Sequence, residues 1–113
     1  MAKAYPHIFT PIQIGTQTLP NRLIMGSMHT GLEERDGGID RMAAFYGERA
    51  KQGCALIITG GFSVNAAGQL DRKSASFNTP EIAQAHKPIP RAVHDHGGRI
   101  LLQILHAGRY GYH

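Results

Sequence analysis

The feature that most constrains this chain is an alternation of strand-length apolar runs with stretches of helical periodicity. Arg22–Met25 and Ala55–Thr59 are short, largely apolar runs bounded by Asn21, Gly26 and Gly60-Gly61. Both read as buried strands, the first covered on both faces and the second ended by its glycine pair. Between them Ile39, Met42, Ala43, Tyr46 and Ala50 recur at i, i+3, i+4, i+7 and i+11, one stripe on a 3.6-residue period. Gly53 is placed to stop that helix in the left-handed conformation. Pro80–His86 predicts a helical turn, and a second helix starts near Pro88. Its inward stripe is Ile89, Ala92, Val93 and His96, closed by Gly97-Gly98. Arg99–Leu105 is the third strand, followed by the polar turn His106-Ala107-Gly108-Arg109. Strand, helix, strand, helix, strand implies right-handed crossovers and a parallel sheet. Upstream, Ile12–Ile14 and the residues near Leu19 predict a small hairpin with Gly15-Thr16-Gln17-Thr18 as its loop. Three such strands fit the start of a (β/α)₈ barrel or half of a dinucleotide-binding sheet.

Charge and composition remove several classes. At 113 residues, 42% hydrophobic and 18% charged, the chain has the makings of one folded domain. The net charge of +4 suits anionic ligands. Lys and Arg are scattered, with no run longer than Arg72-Lys73, so no nucleic-acid stripe is visible. No apolar run approaches the ~20 residues of a membrane span. Met1–Thr10 lacks a signal peptide's apolar stretch, so a cytoplasmic address is expected. The single cysteine, Cys54, cannot form an internal disulfide and reads as a small buried hydrophobe.

The glycines of the loop Gly26–Gly38 do not have G-x-G-x-x-G spacing, and a long segment separates strand from helix, against a dinucleotide fingerprint. No phosphate-loop sequence is present. His94 and His96 share a helix but point apart: the expectation is a solvated His94 and a partly buried His96. His106 and His113 fall in a turn, and no metal site is expected. Strand ends are the stronger signal, because ligands of parallel sheets collect at the carboxyl ends. Ser27-Met28-His29, Gly60-Gly61 and Gln103–Arg109 all fall at one rim. Small residues there admit a flat ligand to backbone amides, and the Gln103 amide suits a heterocycle edge.

Three blocks then resemble the start of the old yellow enzyme family of FMN-dependent oxidoreductases. They are Leu19-Pro20-Asn21-Arg22-Leu23-Ile24-Met25-Gly26-Ser27-Met28-His29-Thr30-Gly31, Ala55-Leu56-Ile57-Ile58-Thr59-Gly60-Gly61 and Gln103-Ile104-Leu105-His106-Ala107-Gly108-Arg109. The "GSMHTGLEE" and "AAFYGERA" segments look similar to the bacterial NADPH-dependent 2,4-dienoyl-CoA reductase branch. The resemblance implies the first three β/α units of a TIM (β/α)₈ barrel, with residues 1–21 as a hairpin cap and 22–113 as β-α-β-α-β. It implies FMN over the strand ends, bordered by Ser27, Met28 and His29. Gly61 would offer a backbone amide and Gln103 would grip the pyrimidine edge, with Arg109 near the entrance on the substrate side. His29 takes the position that, in the family, lies near the flavin N5 and O4 edge.

A complete barrel takes about 250 residues. The family's later-strand histidine and tyrosine, its phosphate site, and the NADPH, FAD and iron–sulfur elements of its long members have no counterpart here. The expectation is a segment that contributes flavin contacts, has no catalytic residue and is incomplete as a catalyst by itself. Three parallel strands also leave two raw edges, so a homo-oligomer or the remainder of a barrel is the expected partner. The alternative is a non-catalytic α/β fragment that associates through its open sheet.

Overall fold

The computed structural model describes residues 4–112, so His113 lies outside it. Its main sheet has three strands: β3 (Ile24–Met25), β4 (Leu56–Phe62) and β5 (Arg99–Ile104), in the order β3-β4-β5. Both pairings are parallel, with Ile24 opposite Leu56 and Leu56 opposite Arg99. Before it comes an antiparallel hairpin, β1 (Ile12–Ile14) with β2 (Gln17–Leu19). The helices are α1 (Gly38–Lys51), α2 (Pro80–Ala85) and α3 (Pro88–His94). This is an α/β unit with the first strands of a barrel and no closure.

Local chemistry accounts for the helices. The predicted stripe of α1 is the face it buries, with Met42 and Tyr46 each 2% exposed and Ala50 3%. Asp40 in its first turn and Arg49 and Lys51 in its last complement the helix dipole. Gly53 follows at φ 105°, a value a side chain would resist. In α2 the Thr79 hydroxyl accepts from Ile82 N at 3.2 Å, with Pro80 at the first helical position. The buried cluster joins Met42, Tyr46 and Ala50 to Ile57, Phe62, Ile89 and Val93. It lies between the helices and one face of the sheet.

The structure corrects several expectations. The hairpin loop is Gly15-Thr16 alone, because Gln17 and Thr18 pair with Ile14 and Gln13. The first sheet strand is two residues long and not buried on both faces: Ile24 is 50% exposed, while Met25 packs against the core. Gly60 and Gly61 do not end the second strand. They lie inside β4, where the register shifts between Ile58 and Gly61. That bulge turns Phe62, 3% exposed, onto the same core face as Ile57. His96 is exposed, because α3 ends at His94 and Gly97 adopts φ 78°, which takes residue 96 off the helical stripe. The third strand ends at Ile104, leaving Leu105 beyond it. Cys54 is half-buried, its Sγ 3.3 Å from the Leu56 carbonyl oxygen.

The hairpin crosses the amino-terminal end of the sheet. Arg99 Nε donates to Gln17 Oε1 at 3.2 Å, and Leu19 is 2% exposed. Asn21 secures the turn into β3: its Nδ2 donates to Gly53 O at 2.8 Å and its Oδ1 accepts from Leu23 N at 2.9 Å. The opposite end of the sheet is left to the loops.

Candidate functional site

The carboxyl ends of β3, β4 and β5 converge through one residue, Thr59. It sits in the bulge of β4, where a regular ladder would have left groups unpaired. Its Oγ1 accepts from Gln103 N at 3.1 Å and donates to Gly60 O at 2.8 Å. Its carbonyl oxygen lies 2.9 Å from Ser27 Oγ. Ser27 Oγ in turn lies against Gln103 Oε1 at 2.5 Å. Residues from three strand ends are thus tied together by hydrogen bonds through one threonine.

The glycine pair allows the close approach. A β-carbon at Gly60 would lie 2.8 Å from the Met28 carbonyl oxygen, and one at Gly61 would lie 2.6 Å from Leu105 Cβ. Both contacts are shorter than van der Waals distance, so side chains there would push the rim loops off the sheet. The loop after β5 docks in turn on the loop after β4. Leu105 N donates to Phe62 O, Ala107 N to Gly68 O and Tyr112 N to Leu70 O, each at 2.9 Å.

His29 and two carboxylates form a polar cluster beside the rim. Its Nδ1 lies 3.1 Å from Glu33 Oε1 and its Nε2 lies 3.4 Å from Glu34 Oε1. The imidazole is 57% exposed and the Glu33 side chain only 7%. The ligand atoms of His29, Glu33 and Glu34 fall within 4.8 Å of one another. Each imidazole nitrogen faces a carboxylate oxygen at pairing distance. His29 and Gly61 also share a cavity of about 100 Å³ with Ser63, Gly68, Gln69 and Leu105.

Of the residues expected at the site, Ser27, His29, Gly61 and Gln103 gather at this rim, and Met28, 48% exposed, lies on its surface. Arg109 does not join them. It is exposed on the turn Gly108–Tyr110 and makes no side-chain hydrogen bond or ion pair among the described residues. Thr59, Glu33 and Glu34 went unnoticed in the sequence. The carboxylates had a signal in the His29 to Glu33 spacing of four residues, but Thr59 had none, because its role comes from the bulge. A larger cavity of about 230 Å³ lies on the helix-covered face, lined by Tyr46, Phe62, Phe77, His86 and Ile89 among others. Its apolar wall serves packing, and burial there holds the His86 imidazole below its ordinary pKa.

An FMN fits this arrangement in its donor set. Gln103 Nε2 has no partner among the described residues, so an amide donor stands free beside the backbone of a glycine-lined rim.

Comparison with known proteins agrees. Residues 7–112 match the NADH:flavin oxidoreductase / NADH oxidase family. The chain is 37% identical over 110 residues to N,N-dimethylglycine/sarcosine dehydrogenase of Chromohalobacter salexigens, covering 94% of this chain and 16% of that protein. It superposes on the old yellow enzyme from Trypanosoma cruzi with a TM-score of 0.83 at 28% identity, covering 96% of this chain and 29% of that one. A 2-naphthoyl-CoA reductase structure gives a TM-score of 0.85 at 25% identity, covering 96% of this chain and 17% of that one. The chain therefore spans less than a third of the length of these relatives. With the match running through nearly all of the chain, from residue 7 to residue 112, it belongs to the NADH:flavin oxidoreductase / NADH oxidase family.

Proposed function

We propose that residues 1–113 form the amino-terminal portion of an FMN-binding barrel domain, with 1–21 as a cap and 22–113 as β-α-β-α-β, and that they contribute one side of the flavin site. The observation that carries this reading is the Ser27–Thr59–Gln103 network, in which Gln103 lies opposite Gly61 with its amide nitrogen unpaired among the described residues. In this reading Gln103 binds the pyrimidine edge. Ser27, Met28 and Gly61 border the ring, and His29 flanks its reactive side. Arg109, exposed on its own turn, lies towards the substrate entrance. Bound FMN would supply two-electron transfer between a reduced nicotinamide and an activated alkene. This chain's residues orient the ring and hold a proton at His29. The acid that protonates the alkene belongs to later strands, so turnover needs more than this segment.

The subtype we favour is an ene-reductase of the 2,4-dienoyl-CoA reductase kind, fed by NADPH in fatty acid metabolism in the cytoplasm. The Gly26–Glu34 and Ala43–Ala50 segments support it, as does the likeness to a reductase whose name specifies a CoA thioester. FAD and an iron–sulfur cluster would belong to other parts of such an enzyme. The test is titration with FMN followed by flavin fluorescence, with Gln103→Ala as control. Saturable quenching that weakens several-fold in the control supports the reading, and no binding at high micromolar FMN overturns it. NADPH oxidation by the isolated chain should be absent.

A second reading has its own observation. The sheet face opposite the helices carries Ile24 and Leu101 at 50% and 53% exposure. A non-catalytic module would use this face to bind a second copy, and would purify colourless.

A further inference from the structure

Resting on the flavin reading above, we infer that Thr59 is the positioning residue for Gln103: its side-chain hydroxyl, brought to the edge of β4 by the bulge, fixes where the Gln103 carboxamide stands at the rim. β4 advances from Ile58 to Gly61 while β5 advances only from Leu101 to Gln103, so β4 carries one extra residue there. In a regular parallel ladder the Gln103 N–H would meet a main-chain carbonyl of β4. Here it meets Thr59 Oγ1 at 3.1 Å instead. The Thr59 carbonyl oxygen lies on the β3 side, 2.9 Å from Ser27 Oγ.

Only one of the two ties on Gln103 has its protons fully assigned. A hydroxyl carries one proton and two lone pairs. The Thr59 proton goes to Gly60 O at 2.8 Å, which leaves a lone pair for the Gln103 amide, so both roles of Oγ1 are filled without conflict. Ser27 Oγ has two acceptors within reach, the Thr59 carbonyl and Gln103 Oε1 at 2.5 Å, and one proton for them. It serves one at a time and cannot anchor both. Ser27 is also exposed, whereas Thr59 is 4% exposed, so water does not compete for the Thr59 hydroxyl. The threonine lines the apolar cavity with Phe62, Ile100 and Leu102. Packed there, a β-branched side chain is stiff about χ1, and its oxygen stays aimed at β5.

The test is titration of the full chain with FMN, read by flavin fluorescence. Thr59→Val should weaken binding about fivefold, the loss expected for one hydrogen bond. Thr59→Ser keeps the oxygen and should restore most of the affinity. In a Gln103→Ala background Thr59→Val should cause no further loss. A further loss of the same size there would mean that Thr59 acts on the fold at large, and overturns the inference, as does equal affinity in wild type and a folded Thr59→Val. Hydrogen exchange is the second arm and needs no ligand. The Gln103 main-chain amide should be protected in the wild-type chain and in Ser27→Ala, and exposed in Thr59→Val. An unprotected Gln103 amide in the wild-type chain overturns the inference even if Thr59→Val fails to fold, as does protection that depends on Ser27. No FMN binding by the wild-type chain, with the Gln103 amide protected through Thr59, overturns the flavin reading and leaves Thr59's hold on Gln103 standing.

Discussion

The two faces of the three-stranded sheet are built from similar residues and have opposite fates. On the helix-covered face Ile57 is completely buried against Val93 of α3 and its neighbours, and Phe62 is 3% exposed. On the other face Ile24 and Leu101 are at least half exposed. The radius of gyration is 15.6 Å, with the longest extent 51 Å, against about 13 Å for a compact chain of this size. Hydrophobicity alone does not bury a residue. It takes a second layer, and α1 and α3 provide one on a single side.

That contrast can be broken most sharply at Ile57. Ile57→Ala should destabilise the fold by about 2–5 kcal/mol in urea unfolding, since it leaves a cavity among packed neighbours. Thr59→Val keeps the shape and removes the Oγ1 that serves Gln103 N and Gly60 O. It should cost about 1–3 kcal/mol and loosen the rim, seen as faster hydrogen exchange at the Gln103 amide. Leu101→Ala, on the open face, should change stability by about 0.5 kcal/mol or less. A loss comparable to that of Ile57→Ala, together with a fall in sedimentation coefficient, would show that a second copy covers this face.

A pH scan sharpens the comparison from the covered side. Burial lowers the pKa of His86, whose ring meets Phe62 and Phe77 edge-on at 5.1 and 5.0 Å. Above the ordinary histidine value of about 6.5 both states are neutral and stability is full. Below it the unfolded chain takes the proton first, so stability falls until the pH has passed the folded-state pKa. His86→Phe should flatten this fall in stability below about pH 6.5. Asp71, held below its ordinary value of 3.8 chiefly by the Lys73 backbone amide, loses its contribution as the pH falls below that value.

Much of this was legible in the sequence, and for identifiable reasons. The stripe Met42, Tyr46, Ala50 named the buried face of α1 because helical period and burial are the same geometry. Apolar runs and glycine stops likewise gave the order of elements and the rim that gathers Ser27, His29, Gly61 and Gln103. What failed was whatever depended on a neighbouring strand. The glycine pair read as a strand terminator, yet the bulge carries β4 through it to Phe62. Ile24 read as covered and is half exposed, because an apolar run cannot report whether its second face has a partner.

By itself, then, the sequence determined the alternation of elements, the parallel sheet and the residue types at its carboxyl ends, since local period and spacing encode them. Only the tertiary structure decided that Thr59 would join three strand ends and that Glu33 would be buried against His29. The same holds for Arg109 standing apart. Those outcomes depend on register, on a bulge and on which loops come within hydrogen-bond distance, and none of these is a property of any one segment.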